Sequence, residues 1–144
     1  MKILFIIIVL TLTCSCDTSK FKETPESKFF GLWKINDGTL YNGSIIKFSK
    51  DDNGEMFGRI VRLNNNKLLN LFVDSSNVIF FSFSRTSNFQ FKISKMRVGS
   101  DLMKMYDVPT SDVLTVQFIN DSTIGLANND KDPLKSKQTL TRLD

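Results

Sequence analysis

The chain has 144 residues, 13 of them phenylalanine, with 24% charged residues, a formal net charge of +4, two cysteines and no histidine. That length bounds a single domain around one core, and a charge so mild, scattered at strand-like spacing, argues against nucleic acid as a partner. With no histidine, and no cysteine beyond Cys16, the chain lacks the ligands of most transition-metal sites and the usual base of a hydrolytic triad, so neither metal nor cofactor is expected.

The first element is an apolar stretch from Ile3 to Leu12, behind Lys2 and ahead of Cys14, Ser15 and Cys16. It covers about half of the ~20 residues that a membrane-crossing helix needs, yet it suits the core of a signal peptide. Both cysteines lie at its end, where they cannot staple the domain but can accept a lipid. Here the chain resembles a bacterial lipoprotein signal: Ser15 precedes Cys16 as the acylated residue, residues 1–15 are removed, and the polar run Asp17-Thr18-Ser19-Lys20 follows. Cys14 is the alternative and fits less well, because Thr11 and the bulkier Thr13 occupy the positions ahead of it. An ordinary secretory signal cleaved nearby is the competing reading. The resemblance implies export to a bacterial cell envelope and a membrane partner reached through the N-terminal lipid, since two or more acyl chains anchor stably where one holds marginally.

Residues 16–27 read as a polar tether and 28–144 as the domain. Pro25-Glu26-Ser27 ahead of Phe29 and Phe30 predicts a short helical turn that closes one end of a barrel. From Gly31 onward, short runs of β-branched and aromatic residues alternate with Asn, Asp, Gly and Ser clusters, the pattern of antiparallel hairpins. The spacing predicts strands at Gly31 to Asn36, Ser44 to Ser49, Glu55 to Leu63, Lys67 to Val73, Val78 to Arg85, Phe89 to Val98, Leu102 to Tyr106, Val113 to Ile119 and Thr123 to Ala127, with a closing strand from Lys137 to Leu143. Phe89, Phe91 and Ile93 share one face against Gln90, Lys92 and Ser94, so this strand has one wet side. The stretch Val78-Ile79-Phe80-Phe81-Ser82-Phe83 is apolar on both faces; it is either covered on both sides or meets a partner. The fold class is therefore all-β, a single antiparallel up-and-down barrel of about eight to ten strands.

Gly31-Leu32-Trp33 heads the first strand and Thr141-Arg142 ends the last. This pairing resembles the calycin superfamily of lipocalin-like barrels, in which a G-x-W motif opens the barrel and a final-strand arginine stacks across the tryptophan. Gly31, Trp33 and Arg142 are the barrel-closure residues that the resemblance implies. The run Gly54-Glu55-Met56-Phe57-Gly58-Arg59-Ile60-Val61-Arg62-Leu63 is similar to a strand of an uncharacterised bacterial envelope domain that also opens on G-x-W and ends in T-R. Tyr106-Asp107-Val108-Pro109 resembles that family's tyrosine-aspartate-proline turn.

Chemistry is sparse. Asp51, Asp52, Asp74, Asp101, Asp107, Asp112, Asp121, Asp130 and Asp132 fall almost entirely in turns, where solvated carboxylates are ordinary. Asp51-Asp52-Asn53-Gly54 lacks the acid spacing of a calcium loop, and no serine sits in a G-x-S-x-G elbow. Phe48, Phe72, Phe80, Phe83, Phe89, Phe91 and Phe118 either fill the barrel or line a pocket for one small apolar ligand. The expected function is a non-catalytic, lipid-anchored envelope protein that binds such a ligand. A structural or inhibitory protein that adds an exposed strand near Val78 to Arg85 to an envelope partner is the second reading, and an enzyme with an unrecognised site the third.

Overall fold

The computed structural model describes residues 22–128 and 131–144. The expected signal peptide, Cys14, Cys16 and the first part of the tether lie outside the described residues. Among the described residues eight strands form: β1 (Gly31–Asn36), β2 (Ile45–Lys50), β3 (Met56–Arg62), β4 (Val78–Arg85), β5 (Gln90–Met96), β6 (Ser111–Asn120), β7 (Thr123–Asn128) and β8 (Gln138–Leu143). Each pairs antiparallel with its neighbour in the chain, and β8 returns to β1, with Trp33 opposite Arg142 and Ile35 opposite Leu140. The result is a closed up-and-down barrel, consistent with the calycin-like architecture.

Side-chain alternation decides what lies inside. Trp33 and Ile35 of β1, Phe91 and Ile93 of β5, and Leu114 and Val116 of β6 are buried, while Lys34 and Lys92 face out. Gly58 lies opposite Phe48 and Phe80 in the paired register, and a Cβ there would stand 2.6 Å from Phe48 Cε1, so the glycine makes room for two rings.

Two expected strands are helices instead. Lys67 to Val73 contains α1 (Lys67–Phe72), and Leu102 to Tyr106 overlaps α2 (Ser100–Met105). Neither helical span holds a β-branched residue, and leucine, methionine and lysine favour helix. The Asn66 side chain accepts from the backbone N–H groups of Leu68 and Leu69 and so caps α1. Gly99, in the left-handed conformation with φ of 75°, turns the chain into α2.

The antiparallel order gives the barrel two unlike ends. The start of β1, the end of β8 and the three short hairpins meet at one, the terminal end. There a 3-10 turn, Glu26–Phe29, plugs the barrel, as the proline-led turn predicts. The Phe29 ring meets Phe91 at 5.0 Å and Phe118 at 4.9 Å edge to face, and its carbonyl accepts from Trp33 Nε1 at 2.6 Å. Just upstream of the turn, Thr24 is bonded to the backbone of Asn88 and to Arg85. The other, helical end carries the loop 37–44, α1, α2 and the turn Pro133–Lys135.

The strand β4 departs from regularity. Against β3 it pairs only through Val78 and Phe80, and against β5 it bulges between Phe81 and Ser84, where Ser82 takes φ of 53°. The bulge turns Phe83 toward Phe29 and Phe48, at 5.7 and 5.5 Å, and leaves Phe81 half-buried.

Candidate functional site

The phenylalanines proposed from sequence divide. Phe48, Phe80 and Phe91 are fully buried, and Phe83 and Phe118 pack against them, so these five with Phe29 form a ring-to-ring core. Phe72, on α1, and Phe89, in the β4–β5 turn, are exposed and lie apart from that cluster. At the terminal end the Arg142 guanidinium stacks 4.3 Å from Trp33 and donates to the carbonyls of Phe30 at 2.9 Å, of Asp121 and of Lys28. Gly31, with φ of 119°, is the close approach that this guanidinium needs: a Cβ there would stand 3.0 Å from Arg142 Nη1.

Polar chemistry collects at the helical end. The inward alternation of β1 continues from Trp33 and Ile35 to Asp37, and that of β5 runs from Phe91 and Ile93 to Lys95. An acid and a lysine thus enter the apolar interior, where they pair with each other; Asp37 is 6% and Lys95 8% exposed. Asp37 Oδ1 also accepts from Thr39 N at 2.9 Å and Thr39 Oγ1 at 2.8 Å. Asn64 Nδ2 donates to the carbonyls of Leu40 and Asn42, each at 2.7 Å, which pins the loop from outside.

Tyr41 completes the cluster. Lys95 Nζ lies 5.3 Å from the centre of its ring. Although Tyr41 is only 2% exposed, its Oη has no hydrogen-bond partner among the described residues. Burial, and then the neighbouring charge of Asp37, pushes its phenol up to about 12, so it stays protonated at neutral pH and is a donor without an acceptor.

Tyr41 borders two recesses. One, of about 270 Å³, runs past Leu40, Lys95, Val98 and Met103; the other, of about 420 Å³ and of mixed polarity, runs past Phe72, Ile79, Asn77, Ser100 and Asp101. Arg97 and Asp112 line the rim of the first, with Arg97 Nη2 to Asp112 Oδ1 at 2.5 Å and Nη1 to the Pro109 carbonyl at 3.2 Å. The hydrogen bond from Arg97 holds the Asp112 carboxyl below its usual range.

The cluster lacks the arrangement of a nucleophile beside a free base, since Asp37 and Lys95 are spent on each other. No group of three or more acidic, histidine or cysteine residues gathers around a metal-sized space among the described residues. What the arrangement can do is hold an apolar body against Val98 and Met103 and offer one buried donor. Sequence reasoning overlooked Asp37, Tyr41 and Lys95; the signal was a charged residue at the next inward position of two strands otherwise apolar on that face. Comparison with protein-family models, curated proteins and solved structures finds no match.

Proposed function

We propose that this protein is a non-catalytic barrel, carried at a bacterial cell envelope by a lipid on Cys16, that binds one small and mainly apolar molecule bearing a hydrogen-bond acceptor at its helical end. The observation that carries the binding half is the buried Tyr41 Oη, without a hydrogen-bond partner among the described residues, in a residue that borders the mainly apolar recess past Leu40, Val98 and Met103. A buried donor left unpaired costs about 1–3 kcal/mol, a cost that a bound acceptor removes. The lipid half rests on the Ile3 to Leu12 stretch and the cysteines behind it.

A fluorescent fatty-acid analogue tests the site. Binding is expected to fall at least about tenfold in Met103→Asp, and about tenfold in Tyr41→Phe with the fold retained. Equal affinity in the parent and both variants overturns the site. Mass spectrometry of the mature N-terminus tests acylation independently: an acylated Cys16 supports the anchor, and an unmodified terminus overturns it.

A second reading has one observation in its favour. Because β3 pairs with β4 only as far as Phe80, the stretch from Phe81 to Arg85 has backbone groups that β3 does not take, a place for strand addition by an envelope protein. A complex or dimer that dissociates in Phe81→Ser supports it.

A further inference from the structure

The chain's mild net charge hides a strong asymmetry. Going round the barrel, β8, β1, β2 and β3 are contiguous, and together they hold Lys34, Lys47, Lys50, Arg59, Arg62 and Arg142 without a single aspartate or glutamate. Arg142 is turned to Trp33 and Lys50 is paired with Glu26. Lys34, Lys47, Arg59 and Arg62 are all exposed on the outside of β1 to β3, and none has a carboxylate partner among the described residues. Register makes the crowding direct: Lys47 stands opposite Arg59, and Lys34 is two residues along from Leu32, the residue opposite Lys47 on the other side.

Like charges facing each other across a strand pair disfavour the sheet unless something neutralises them. Apolar side chains are interleaved with these cations. Leu32 is 38% and Val61 43% exposed, and the half-buried Phe57 ring lies 5.2 Å from Arg59 Cζ. A hydrated acidic polymer has no use for that apolar surface, whereas a bilayer offers phosphate to the cations and acyl carbon to Leu32, Val61 and Phe57.

We infer that the outer face of β1 to β3 is a docking surface for an anionic phospholipid bilayer. It engages headgroup phosphates through Lys34, Lys47, Arg59 and Arg62, and it is independent of the Tyr41 recess and of acylation.

The test uses the full chain and two kinds of vesicle, phosphatidylcholine alone and phosphatidylcholine with phosphatidylglycerol; the ratio of binding between them cancels whatever an N-terminal acyl chain adds to both. Replacing Lys47→Gln together with Arg59→Gln is expected to lower that ratio by about 25-fold, from about fivefold per cation. Lys92→Gln with Lys104→Gln, which removes the same charge from elsewhere, is expected to leave it unchanged, and thermal unfolding checks that all variants remain folded. An equal drop in both pairs reduces the effect to net charge and overturns the inference. So does a ratio near one in the parent. Binding of dextran sulfate as tight as that of anionic vesicles, with vesicle binding indifferent to Leu32→Ser, overturns the choice of lipid.

Discussion

Tyr41 sits where burial and solvation conflict. Its ring belongs to the core while its hydroxyl, carried in with it, finds no acceptor among the described residues, and the Asp37 carboxylate nearby makes ionisation harder still. The consequence for stability has a definite sign. In the unfolded chain the phenol ionises near 10.0 and in the folded protein near about 12, so above pH ~10 the unfolded state sheds a proton that the folded state keeps, and stability falls as pH rises through that window. Denaturant unfolding at neutral pH should find Tyr41→Phe more stable than the parent, by about 1–3 kcal/mol. By pH ~12 the parent should have lost about 2–3 kcal/mol more than the variant. A constant gap across the alkaline range contradicts this account of Tyr41. The same residue then weakens the free protein and serves the ligand, the trade expected of a binding site.

Among the elements, the two short helices were the misread ones, and the reason is local. A five- to seven-residue apolar run does not reveal its period, so Leu68, Leu69, Leu71 and Phe72 suit a strand as well as a helix. What settles the matter is one side chain: Asn66 Oδ1 takes two backbone N–H groups that a strand would send to a neighbour. Only Leu69 of α1 is buried, so packing holds this helix weakly and the cap contributes much of its stability. Asn66→Ala is expected to cost about 1 kcal/mol and to speed hydrogen exchange at the amides of Asn70 and Val73, which close the helix onto Asn66 and Leu69. Exchange unchanged at both amides refutes the assignment of the cap.

At the scale of the molecule, one arginine ties the barrel shut. Arg142 of β8 lies over Trp33 of β1 and bonds to carbonyls of the N-terminal turn region and of the β6–β7 hairpin, so it joins segments that the strand ladder leaves separate. Arg142→Ala should cost about 2 kcal/mol or more in denaturant unfolding, and should shift the fluorescence of Trp33, the one tryptophan, toward that of a wetter indole. An unchanged midpoint and spectrum would remove the arginine from barrel closure. The all-β barrel, most of the strand positions and the pairing of Trp33 with Arg142 were legible in the sequence, because alternation with period two and a motif at each end are local patterns that any strand of the right length displays. Which phenylalanines form one core and why a lysine and an aspartate meet inside it were decided only by closure, and strand register gathers on one outer face four cations with no carboxylate partner among the described residues. Ring contacts, ion pairs and surface charge depend on which strands become neighbours and in what register, and spacing along a chain does not carry that information.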